Sequence, residues 1–117
     1  MEKSITREKA KKFAVKIVRL CQVLQQNNKE FIISKQLIRC GTSVGANLME
    51  SEHAASGLDF VNKLNISLKE ANETKYWLEL LVETDYISQE KFLEMKNDCD
   101  EILRLLAASI KTMKSRL

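Results

Sequence analysis

Apolar side chains recur along this chain at steps of three and four. From Thr6 to about Gln26 they fall at Ala10, Phe13, Ala14, Ile17, Cys21 and Leu24, the spacing of a helix that buries one stripe. A second stripe runs through Leu37, Gly41, Val44 and Leu48, with Ile38, Gly45 and Met49 beside it. A third passes through Phe60, Leu64, Leu68, Ala71, Leu78 and Leu81. A fourth joins Phe92, Met95, Cys99, Ile102, Leu106 and Met113. No alternating strand pattern competes. The spacing predicts four helices over about 6–26, 33–55, 58–84 and 89–115.

The breaks between stripes carry helix signals. Asn27 to Glu30 has no apolar member and reads as a turn. Ser34 offers an N-cap for the second helix, unless that helix begins earlier, at Phe31 to Ile33. Ser56 can cap the third, with Asp59 three residues on in a variant of the capping box. Asp85 to Ser88 forms the last turn, Ser88 is the N-cap candidate, and Glu90 suits the positive end of the dipole. Lys111, Lys114 and Arg116 suit the negative end of the last helix. Short connections force neighbouring helices antiparallel. The expected architecture is therefore all-α, a single-domain up-down-up-down four-helix bundle over residues 1–117.

Two residues interrupt the helical logic. The chain has no proline and three glycines, two of them at Gly41 and Gly45 inside the second helix. Glycine costs a helix about 1 kcal/mol against alanine. Residues four apart share a face, so these two clear side chains from one strip, with Ser43 and Ala46 small beside it. The expectation is close approach of a neighbouring backbone. Asn47 lies near that packed side, and Ser67, Glu70 and Thr74 of the third helix are its expected partners. Arg39 is expected to pair with Glu70. With Glu50, these polar groups are read as organisers of geometry, since none sits in a nucleophile–base arrangement.

Composition narrows the class. A chain of 117 residues is one domain by length and large enough to hide most of its unfolded surface. Its 44% hydrophobic and 30% charged residues are ordinary for a globular protein. The start, MEKSITREKAKKF, lacks the apolar run of a signal peptide, and no stretch approaches a spanning helix. A cytoplasmic location without membrane contact is expected. Cys21, Cys40 and Cys99 are odd in number and far apart, so buried thiols are expected rather than a metal or redox site. No cofactor is implied.

Charge is uneven. Residues 1–40 carry ten Lys/Arg against three Asp/Glu, while residues 41–117 carry nine against thirteen. Such asymmetry marks an anion-binding face, a head-to-tail attraction between copies, or simply a solvated helix face. On the first helix, Lys9, Lys12, Lys16 and Arg19 fall at steps of three, four and three, opposite the Phe13–Ile17 stripe. A ring of such helices would carry a positive belt able to bind RNA or DNA in a salt-dependent way. Against this, no aromatic residues accompany them for base stacking. Tyr76 and Trp77 are adjacent, so only one can point squarely into the core. The other is free for a protein partner, which supports an assembly adaptor with no nucleic-acid role. Glu50 and His53 form a Glu-x-x-His pair, but a di-iron bundle needs two such pairs and the chain has one histidine. No catalytic signature is present.

The segments QLIRCGTSVGANLMES and DFVNKLNISLKEANETKYWLELL resemble the small bacterial four-helix bundle proteins named for members encoded in 23S ribosomal RNA intervening sequences. The likeness extends more loosely to Phe13–Val18 and to the leucine-rich fourth helix. Many relatives carry a proline where this chain has Gly45-Ala46, so the second helix should run unbroken. The resemblance implies an antiparallel four-helix bundle assembling as a cyclic homopentamer, with no established enzymatic activity. A related group, the accessory protein of diversity-generating retroelements, engages nucleic acid. The residues matching the signature are Gln36, Arg39, Ser43, Asn47, Glu50, Phe60, Glu70, Glu73 and Trp77. They carry over as residues of packing and assembly, beside Gly41 and Gly45. The leading expectation is thus a non-enzymatic homo-oligomer that binds nucleic acid through helix 1; the alternative is a protein–protein adaptor.

Overall fold

The structure, a computed structural model, describes residues 4–117. Ser4 opens α1 (Ile5–Asn28) by accepting the Arg7 amide at 3.0 Å, which satisfies a donor that the first turn cannot. Lys29 closes the helix in the left-handed conformation, φ 55°, and the Glu30 amide returns to the Leu24 carbonyl at 3.0 Å.

Glu30 then starts α2 (Ile33–Ser51). Its carboxylate accepts the Ile32, Ile33 and Ser34 amides at 3.1, 2.9 and 2.7 Å. Ser34 is therefore not the N-cap that its residue type suggests. It lies inside the first turn, buried, donating to the Glu30 carbonyl at 2.7 Å and accepting from Gln25 at 3.0 Å. The far end of α2 also differs from expectation, stopping at Ser51 rather than near 55. There the amides of Glu52, His53 and Ala54 reach back three residues, the tightened turn that ends many helices.

Ser56 caps α3 (Gly57–Glu83), accepting the Asp59 amide at 3.1 Å, while Asp59 accepts the Ala55 amide at 3.1 Å. The expected capping box is thus closed one residue upstream of its usual partner. Ser88 caps α4 (Gln89–Lys114) through the Lys91 amide at 3.0 Å.

Among the described residues there are four helices and no strand. They form a single body of 47 × 22 × 21 Å. Helices adjacent in the chain pack against one another and α1 also meets α4, while the backbones of the diagonal pairs stay apart. Phe13, Ile17, Leu24, Leu37, Leu64, Leu78, Leu81, Met95, Ile102 and Leu106 are fully buried between them. Each such side chain contributes roughly 1.5–3 kcal/mol of transfer free energy. No helix is long and apolar enough to cross a membrane.

The glycines face α1. A Cβ at Gly45 would lie 3.7 Å from the Ala10 Cβ and 3.8 Å from its backbone carbon. At Gly41 it would lie 3.0 Å from both γ carbons of Ile17. The side-chain-poor strip therefore admits a backbone at one level and a branched side chain at the next. Helix α2 runs unbroken through both positions.

Candidate assembly and nucleic-acid faces

The row Lys9, Lys12, Lys16 and Arg19 is divided by the fold. Lys9 and Lys16 are seven apart, two turns along one flank of α1, and that flank meets α4. Lys9 pairs with Glu101 at 3.1 Å, and Lys16 with Asp98 at 2.7 Å and Glu94 at 3.0 Å. The Asp98 hydrogen bond, reinforced by Glu94, holds the Lys16 amine above its ordinary range. Lys16 and Lys91 hold the Glu94 carboxyl below the usual one. Lys12 and Arg19 are exposed and make no ion pair among the described residues. The positive row is therefore half neutralised by α4. Glu94, Asp98 and Glu101 were legible as its counterpart, since their steps of four and three place them on one helical face.

Across the α2–α3 groove lies a second polar cluster. The Arg39 guanidinium donates to Glu73, to Glu70 at 3.5 Å and to Gln36 at 3.3 Å. Trp77 donates its indole N–H to the same Glu73 at 3.0 Å. The sequence-based pairing of Arg39 with Glu70 is present, but Glu73 is the nearer partner. Trp77 packs against the core and Tyr76 is exposed, their rings meeting edge to face at 5.0 Å. Glu50 pairs with Lys63 at 3.1 Å at the other end of the groove.

Asn47 departs from expectation. Its amide donates to the Ser43 carbonyl of its own helix at 2.9 Å, while the groups expected to hold it serve elsewhere. Ser67 donates to the Val44 carbonyl at 2.8 Å, and Thr74 donates to the Glu70 carbonyl of its own helix at 2.8 Å while its oxygen lies 3.3 Å from the Cys40 sulfur. Both hydroxyls are buried and tie α3 to α2 directly. Ser43 donates to the Arg39 carbonyl of its own helix at 2.7 Å. Phe60 is half-buried against the core, beside a shallow depression lined by Ala108, Thr112 and Met113.

The remaining chemistry is muted. Burial pushes the Cys21 and Cys99 thiols up to about 12 and also raises Cys40, so none offers a thiolate at neutral pH. His53 is exposed beyond the end of α2. Among the described residues no three His, Cys, Asp or Glu side chains converge as a metal site. What the arrangement offers is surface: a polar groove on one side and a helix face with free cations on another.

A family model described as 23S rRNA-intervening sequence protein matches residues 2–108. The fold is similar to a solved structure of a protein of unknown function from the S23 ribosomal protein family of Bacteroides thetaiotaomicron VPI-5482. The two chains are 53% identical, with a TM-score of 0.90 over 92% of this chain and 96% of that one. No curated protein matches the chain.

Proposed function

The chain belongs to the 23S rRNA-intervening sequence protein family, and from that premise we propose that it is a non-enzymatic scaffold that assembles with copies of itself. The observation that carries this reading is apolar surface left over once the core is closed. Tyr76 is 53% exposed, Met49 52% and Val15 45%, although the interior already holds eleven large apolar side chains fully buried among the described residues, Val44 included. Apolar side chains scattered singly are ordinary on a surface; Val15 counts for more, because it lies with Ala14 and Val18 as one apolar floor on α1, the contiguous kind favoured where partners meet.

The subunit reads as an up-down-up-down bundle. Support comes from contacts that run in opposite order along successive helices: Ala10 with Gly45 and Ile17 with Gly41, Val44 with Ser67 and Cys40 with Thr74, Gly57 with Met113 and Ala71 with Cys99. A ring of five is the assembly that the family resemblance implies. Free buried thiols at all three cysteines favour a reducing, cytoplasmic setting.

Nucleic-acid binding is the second reading, and Lys11, Lys12 and Arg19, exposed and free of ion pairs among the described residues, are the observation in its favour. It is the weaker of the two because Lys9 and Lys16 already neutralise carboxylates of α4. Sedimentation velocity of the wild-type chain, with and without a labelled RNA or DNA at two salt concentrations, tests both. The assembly reading expects a species well above the 13.5 kDa single chain at micromolar concentration. A single chain at every concentration would end it. Co-sedimentation of the label at low salt, lost at high salt, would favour the second reading.

A further inference from the structure

The outward faces of α1 and α3 are unlike each other and complementary. The two helices stand on a diagonal, each packed on α2 and α4 with their own backbones apart, so these faces look away from each other. On α1, Ala14, Val15 and Val18 floor a shallow groove of about 320 Å³, with Lys11, Arg19 and Gln22 at its rim. On α3, Asn72, Tyr76, Glu79 and Glu83 are exposed at steps of four, three and four, one continuous row on a helix. Lys11 and Arg19 have no acidic partner among the described residues, and neither Glu79 nor Glu83 has a basic one. Lys69 stands at the N-terminal end of this row, and Lys75, one turn before Glu79 and within reach of its field, is taken by Asp100 at 2.8 Å.

We infer that the α1 groove receives the α3 row of a second copy of this chain, Tyr76 seating on the valines while Glu79 and Glu83 meet the free cations. This rests on the self-assembly reading and adds to it the two faces that meet. Pairing like with like is disfavoured: two α1 faces would bring cations together and two α3 faces carboxylates, a repulsion that selects against wrong partners. The contact is therefore heterologous, with a different patch from each copy. Such a contact repeats from copy to copy until it closes into a ring or runs on as a filament. An unpaired cation on α1 also exerts its pull without first breaking an internal pair, which Lys9 and Lys16 cannot do.

Two double variants silence one face each. Lys11→Glu with Arg19→Glu reverses the α1 rim, and Tyr76→Ala with Glu79→Gln blunts the α3 row. All four side chains are exposed, and circular dichroism melting confirms that each variant folds. Native mass spectrometry of the wild type, each variant and their equimolar mixture then reads the assembly. The expected result is a multi-chain wild type and single-chain variants. Their mixture should form a two-chain complex and nothing larger, because each variant keeps the face the other lacks. A multi-chain wild type whose size survives either double variant would overturn the assignment of faces while leaving self-assembly standing. So would a mixture that stays single-chain. A single-chain wild type would remove both, and a wild type that gains mass only with added RNA would give the α1 groove to nucleic acid instead.

Discussion

A methyl group added at Gly45 would rest in ordinary contact with Ala10, whereas one added at Gly41 would press on both γ carbons of Ile17. The two substitutions therefore have opposite signs. Gly45→Ala removes backbone freedom from the unfolded chain and adds contact, and should stabilise the protein by up to about 1 kcal/mol. Urea unfolding checks this, and a loss of stability would show that the gap at Gly45 is narrower than described. The strip itself was legible from the four-residue spacing of the glycines. Which helix lies against it was not, because a sequence gives the period of a face and not its neighbour. The same limit explains Asn47. Its place near the packed side was readable, but a side-chain amide on a helix can bond a carbonyl one turn back as readily as another helix, and here it takes the Ser43 carbonyl.

Helix ends show how local chemistry competes. Ser56 and Ser88 cap as their residue type suggests. At α2 a serine stands close by, yet the Glu30 carboxylate has the reach to collect three amides and does so. Between helices, the ties were partly hidden because charge pairs across a groove leave no fixed spacing in sequence. Asp100 is held between Lys75 at 2.8 Å and Lys96 at 2.8 Å, and these lysines hold its carboxyl below the usual range. Lys16 and Lys91 do the same for Glu94. A carboxyl depressed on folding adds stability that is present above its ordinary pKa and is lost as pH falls through the depressed one. Asp100→Asn should therefore cost up to about 1 kcal/mol at neutral pH. The gap to wild type should close in acid, below the ordinary carboxylate range near pH 4. Melting temperatures of both proteins from pH 7 down to pH 2 check this. A gap that stays constant across that range would mean that the Asp100 charge contributes nothing to the α3–α4 tie.

At the scale of the molecule, α4 packs chiefly on α3, and the helix on its other side is α1. Its contact with α4 is slight and leans on Lys9 and Lys16, so its docking rests chiefly on α2. That makes the glycine strip the feature on which the seating of α1 depends, and with it the placement of the outward face of α1. All-α architecture and four helices were readable because helical periods are strong over stretches this long. The division of the basic row was not, since it needs α4 to be in place beside α1. If α1 seats by fitting Ile17 into the space at Gly41, the two positions must be energetically coupled. The most direct test is a double-mutant cycle of Gly41→Ala and Ile17→Ala in equilibrium urea unfolding, run in the Gly45→Ala chain if extra stability is needed. Gly41→Ala should destabilise the chain that keeps Ile17, since crowding of about 1–3 kcal/mol outweighs its helix propensity gain. With Ala at 17 the same change should be neutral or stabilising. An equal cost in both backgrounds would contradict the close fit of α1 against α2.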